Sequence, residues 1–208
     1  MLITSQSSGT KNKDVSVKYL IITIFSAFLV GCVSTMPKAG ISQTYNHVGA
    51  KVTSPSEPNW YLMKHTDPSV VFGKEYSDKS ETAIANTYLY WIGEFPTDKE
   101  FFDKVIESRK TFDNKARFKQ LELNYETLTF KGRPCLKYSG VAEDHGDKGL
   151  ESKDFQYFKN QGYICRTNLN HTTALLMEVS HRSDNKEFPE NLYNVALEFF
   201  NNIELTAY

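Results

Sequence analysis

Three cysteines and five histidines are the side chains in this sequence best suited to chemistry. Cys32 closes the tetrapeptide Leu29-Val30-Gly31-Cys32, directly after an uncharged apolar run from Tyr19 to Val30. Cys135 and Cys165 lie about thirty residues apart in segments rich in β-branched and aromatic residues. In an oxidising compartment such a pair is predicted to be bridged, with two buried free thiols as the alternative. A reactive thiol would need a strongly basic or helix-start setting, and Arg166 beside Cys165 is a single charge. The histidines, His47, His65, His145, His171 and His181, show no zinc-type spacing and no His-Glu-x-x-His, so no metal site is predicted. Glu143-Asp144-His145-Gly146-Asp147 gathers oxygen and nitrogen ligands in one stretch. It lacks the length and ligand period of a calcium loop and reads as a solvated turn. There is no Gly-x-Ser-x-Gly elbow and no Gly-rich phosphate loop, so no cofactor is predicted either.

The setting of Cys32 is more specific than any of these. Lys11, Lys13 and Lys18 precede the apolar run, with only Asp14 opposing them. Basic residues, a short apolar core and small residues beyond it are the three regions of a secretion signal. The run from Tyr19 to Val30 is too short for a spanning helix, which needs roughly 20 residues. Leu29-Val30-Gly31-Cys32 resembles the lipobox of bacterial lipoproteins, although the stretch ahead of the apolar core is longer than that pattern requires. The resemblance implies cleavage before Cys32, a diacylglyceryl group on its thiol and acylation of the new amino terminus. Two or three acyl chains give the stable attachment that one cannot. Val33 stands where an Asp would retain such a protein in the inner membrane, which favours the outer membrane. The partners expected are therefore a membrane, through the anchor, and an envelope protein or small ligand.

Charge adds an exclusion. With 24 basic and 25 acidic side chains the chain has no basic excess, and nucleic acid is not an expected partner. The 14 Phe and 12 Tyr supply enough ring surface for a substantial core.

From position 33 to 58 Ser, Thr, Gly, Pro and Lys dominate, and Thr53-Ser-Pro-Ser-Glu-Pro58 is a breaker cluster. This reads as a flexible tether after the acylated Cys32, with an edge strand over Ile41–Val52 as the alternative. A single domain is expected over 59–208. Strands are predicted over Ser69–Tyr76 and Thr82–Phe95, then a helix opened by the capping box Thr97-Asp-Lys-Glu100 and carrying Phe101, Phe102, Val105, Ile106 and Arg109 on one stripe. Asp98, Glu100 and Asp103 suit the positive end of that helix better than an acid–base pair. Further strands follow over Phe118–Tyr125, Cys135–Ala142 and Ala174–His181, with a tight turn at Lys131-Gly132. A hairpin is predicted at Asn160-Gln-Gly162, between Phe155–Lys159 and Tyr163–Thr167. Pro189 suits the first position of a second helix whose stripe is Leu192, Val195, Ala196, Phe199 and Ile203. Trp60, Tyr61, Tyr88, Tyr90 and Trp91 are assigned to the core, with a binding face as the alternative.

Runs of antiparallel strands with segregated helices define an α+β domain, one twisted sheet packed by two principal helices. That element order is loosely similar to the PsbP and Mog1-like sandwich proteins. The sequence points to a non-enzymatic binding or accessory module of the envelope. The alternative is an enzyme acting on cell-wall or lipid substrates, for which Asp144, His145 and Asp147 are the candidate residues.

Overall fold

Strand segments whose odd and even residues are both apolar must be covered on both faces. Leu175, Met177 and Val179 alternate with Ala174 and Leu176 in this way, and the structure places a layer on each side of them. The computed structural model describes residues 36–78, 80–112, 114–146, 154–167 and 172–206. Cys32, with the apolar run before it, lies outside the described residues. So do Asp147 and His171.

The elements run β1 (Thr44–His47), β2 (Ala50–Thr53), β3 (Trp60–Thr66), β4 (Ser69–Glu75), β5 (Thr82–Trp91), α1 (Asp98–Phe112), β6 (Phe118–Phe130), β7 (Arg133–Asp144), β8 (Gln156–Arg166), β9 (Thr173–Ser183), α2 (Glu190–Asn202) and β10 (Glu204–Leu205). Seven strands form one antiparallel sheet in the order β3-β4-β5-β9-β8-β7-β6. The first meander ends at β5, α1 crosses one face, and the second meander folds back until β9 lies against β5. The fold class is α+β, as the element order predicts.

One face of the sheet is covered by α1. Phe101 and Val105 pack there with Leu136, Tyr138, Ile164 and Ala174. The other face is covered by α2, through Leu192, Val195, Ala196, Phe199 and Phe200, and by the three-stranded sheet β1-β2-β10. The predicted capping box is present at α1: the Thr97 amide donates to Glu100 Oε2 at 3.1 Å, and the Glu100 amide donates to Thr97 Oγ1 at 3.2 Å. Lys131 and Gly132 take φ of 50° and 77° and make the predicted tight turn between β6 and β7. Pro189 caps α2, one position ahead of the place predicted for it.

Several expectations need correcting. The stretch read as a tether holds β1 and β2 over residues 44–53, so its strand alternative describes these residues. Tyr45 and His47 in β1, and Ala50 and Val52 in β2, are buried at alternate positions, a two-residue period too short to stand out among Ser, Gly and Pro. The hairpin at Asn160-Gln-Gly162 does not exist. Strand β8 runs straight through it, paired on both sides from Tyr157 to Cys165. Strand β6 continues to Phe130, and β7 takes in Glu143 and Asp144. Strand β5 stops at Trp91 instead of reaching Phe95, since Gly93 turns the chain with φ of 106°. A bulge between Gln120 and Glu122 leaves Leu121 exposed, off the face predicted for it beside Leu123.

Candidate functional site

Gly162 explains why β8 is unbroken. A β-carbon there would lie 2.1 Å from the Met177 carbonyl oxygen and 2.9 Å from the Tyr138 hydroxyl. The glycine therefore serves close approach inside the sheet. It lets Tyr138, its partner on β7, cross over β8 toward Glu178, its partner on β9. Two positions along, on the same face, Gly140 pairs with Asn160. A β-carbon on Gly140 would lie 2.8 Å from Asn160 Oδ1 and 3.4 Å from Gln120 Nε2. The Tyr138 hydroxyl fills the room left at Gly162, while the missing side chain of Gly140 leaves a hollow over the sheet beside Arg109 of α1.

The resulting cleft has a volume of about 300 Å³, at the low end of the usual range for small-molecule sites. Gly140, Asn160 and Glu178 contribute to its floor, and Phe118, Phe158, Leu176 and Arg109 to its walls. Glu178 is its chemical centre. The Tyr138 hydroxyl donates to Glu178 Oε2 at 2.7 Å, and Asn160 Nδ2 donates to the same oxygen at 3.0 Å. Arg109, on α1, lies 3.9 Å from it, with its guanidinium 4.0 Å above the centre of the Tyr138 ring. Burial raises the Tyr138 pKa well above the ordinary phenol range, and the Glu178 charge raises it further. Tyr138 is therefore a fixed donor at neutral pH. Burial also pushes nearby Tyr90 up to about 12, against the opposing charge of Arg109. The cleft joins an oriented carboxylate to a cation and two carboxamides within partly apolar walls. That set can hold a ligand through directed hydrogen bonds.

The residues singled out from sequence have other positions. Asp144 is 1% exposed and accepts two bonds from Arg117, Nε to Oδ1 and Nη2 to Oδ2, each 2.7 Å. Burial works to raise its pKa. The Arg117 bonds, the Gly146 amide and the charges of Arg117 and Arg182 outweigh that and hold the carboxyl below its usual range. This carboxylate stays ionised as a structural link between β6 and β7, and makes a poor proton donor. His145 stands 3.2 Å from Glu143 at the surface. Cys135 and Cys165 are direct cross-strand partners, with Cα atoms 4.1 Å apart and the sulfurs within bonding distance. The pair is capable of a disulfide. Trp60 is buried, whereas Tyr88 is 44% and Trp91 75% exposed, so the core assignment fails for these two. Both lie toward the end of β5, on opposite faces of the strand. Among the described residues no group of three or more His, Cys, Asp or Glu side chains is placed to hold a metal.

A second polar group occupies the face under α2. Lys74, Ala83, His181, Lys159 and Val141 follow one another across five strands in register. Lys159 is 1% exposed, and burial lowers its pKa to about 8. Its ammonium donates to Ser183 Oγ at 2.8 Å and to the carbonyls of Asn185 and Glu187. All three protons are used in pinning the segment that leads into α2. Buried His181 has Nε2 2.7 Å from Glu81 Oε1. These groups are tied up in structure.

None of the four polar residues of the cleft was singled out from sequence as a site residue. Arg109 sits on the predicted helix stripe, and Asn160 sits in the misread hairpin. The usable signal was Glu178. A carboxylate in Leu175-Leu-Met-Glu-Val179, a strand apolar on both faces, has to be answered by polar partners.

No family profile and no curated protein matches the chain. Similar solved structures include the Ran-binding protein Mog1p of Saccharomyces cerevisiae, 14% identical, covering 80% of this chain and 97% of that one with a TM-score of 0.43. Another is the cyanobacterial PsbP of Synechocystis sp. PCC 6803, 14% identical, covering 85% of this chain and 100% of that one with a TM-score of 0.38. These are the two groups whose element order the sequence resembles.

Proposed function

We propose that this chain is a lipid-anchored protein of the cell envelope that binds a small polar ligand in the cleft beside α1, without transforming it. The observation that carries the binding role is the Glu178 site. Gly140 leaves room over the sheet there, and Tyr138, Asn160 and Arg109 hold one carboxylate in place at its floor. The anchor is supported by the basic stretch, the apolar run and Leu29-Val30-Gly31-Cys32, with acylation at Cys32 and the outer membrane as the preferred location. A Cys135–Cys165 bridge fits an oxidising compartment.

Two experiments test this reading. Cys32→Ser should move the protein from the membrane to the soluble fraction, and unchanged fractionation would remove the anchor from the proposal. For the cleft, a library of polar fragments is screened against the full chain by ligand-observed NMR. Leu176→Trp, which fills the cleft, should abolish the hits. A folded Leu176→Trp protein that keeps every hit would show that the fragments bind elsewhere.

A further inference from the structure

The oxygens of the cleft carry more information than its volume. Asn160 gives its amide donor to Glu178, which orients its Oδ1 the other way, over Gly140. Gln120 gives its Nε2 to the carbonyls of Glu122 and Val141, which fixes its Oε1 as the free end. Glu178 receives Tyr138 and Asn160 on Oε2 alone. Among the described residues, Asn160 Oδ1, Gln120 Oε1 and Glu178 Oε1 have no hydrogen-bond partner. None of the three is buried away from solvent, and all three side chains line the same cleft. Three acceptors in about 300 Å³ call for a ligand rich in donors.

Two chemistries supply donors: a cationic amine and a polyhydroxyl ring. Arg109 decides between them. Its guanidinium lies 3.9 Å from the Glu178 carboxylate and already balances that charge. A second cation at Glu178 Oε1 would be repelled by Arg109. A neutral ligand with several hydroxyls meets no such cost. The walls agree with this choice. Phe118 and Phe158, with ring centroids 5.4 Å apart, are both half-buried and present ring surface to the cleft. The carbon–hydrogen face of a sugar ring is apolar and flat enough to lie on such a surface, while its hydroxyls point outward to planar acceptors. The volume suits one ring better than an extended chain.

We infer that the cleft beside α1 is a monosaccharide-sized carbohydrate site, in which Glu178, Asn160 and Gln120 accept from ring hydroxyls and Phe118 and Phe158 hold the ring face. This rests on the binding reading given above and names the ligand class for the same cleft.

The test uses the full chain in a phosphocholine detergent, which has no sugar headgroup of its own. Methyl β-glucoside and N-acetylglucosamine are titrated while the side-chain amide resonances of Asn160 and Gln120 are followed, with methylammonium as the cationic comparison. Saturable shifts are expected from at least one sugar and none from methylammonium. Glu178→Gln replaces a charged acceptor by a neutral one and should weaken binding roughly five- to tenfold, the difference between hydrogen bonds to a charged and to a neutral acceptor. Phe158→Leu keeps the volume roughly constant and removes the ring, so it should weaken binding without touching the acceptors. Sugar shifts that persist undiminished in both variants would overturn the inference. If methylammonium or polar fragments move these resonances and no sugar does, the carbohydrate assignment falls and the ligand cleft stands. If no probe moves them, both fall.

Discussion

Acidification from pH 7 to pH 5 should remove stability from this fold through two buried histidines. His47 is 4% exposed with Nε2 2.7 Å from Thr87 Oγ1, and His181 is 2% exposed with Nε2 2.7 Å from Glu81. Burial lowers both pKa values below 6.5. At His47 the Val48 backbone bond opposes the shift and the His65 charge adds to it. At His181 the Glu81 carboxylate opposes it, and the charges of Lys159 and Lys74 add to it. The unfolded chain therefore takes up these protons before the folded one does. The histidine contribution is fully present above about pH 6.5 and declines as the pH falls toward the folded pKa values. Each group contributes a slope of at most about 1.4 kcal/mol per pH unit, so the pair contributes at most about 2.7. Against a total stability of roughly 5–15 kcal/mol this is large. Asp144 and Glu143 act in the same direction. Their pKa values are held below 3.8 and 4.5, however, and their loss begins only at lower pH. Urea denaturation at pH 7, 6 and 5 should show the decline, and it should flatten in the His47→Gln/His181→Gln double variant. Equal unfolding free energies at pH 7 and pH 5 in the unaltered protein, or an undiminished slope in the double variant, would refute the reasoning.

Two further predictions concern β8. Gly162→Ala forces a β-carbon against the Met177 carbonyl, 2.1 Å away, and should cost about 1–3 kcal/mol while displacing Tyr138 from Glu178. Thermal unfolding together with the near-ultraviolet signal of the tyrosines will show it, and a change under about 0.5 kcal/mol would mean the sheet accommodates the methyl group. Reducing the Cys135–Cys165 pair, which encloses a separation of 30 residues, should cost roughly 3–4 kcal/mol by the chain-entropy relation. Denaturation curves that coincide with and without reductant would establish that the thiols are unbridged.

What could be read from the sequence follows the range of the interactions concerned. The capping box at Thr97–Glu100, the stripes of α1 and α2 and the turn at Lys131-Gly132 are set by neighbours within a few residues, and all were readable in advance. The α+β class follows from their order. Strand β3 was missed because its burial is confined to Trp60 and the residues beside it, with Met63 and the end of the strand exposed. Gly162 was misread because a glycine beside polar residues has the same local appearance in a turn and at a close approach. Only the partners on β7 and β9 distinguish the two. The cleft has the same difficulty in stronger form. Its polar residues come from α1, β6, β8 and β9, and they meet only through a register spanning four strands. In a single chain the carboxylate of Glu178 between apolar neighbours was the visible trace of it.

The pairing of β10 with β2 bears on how the molecule assembles. Glu204 lies opposite Lys51 and Leu205 opposite Ala50, so this small sheet joins segments about 150 positions apart. Contacts of that span carry the largest loop-closure cost, and we expect them to form after the nearer pairings. The seven-stranded sheet and α1 can settle from nearer neighbours while the layer that seals Val52 and Ile203 still waits for its last strand. A nascent chain halted short of Glu204 would leave that layer ajar, with buried carbon exposed to any protease or chaperone that surveys incomplete products.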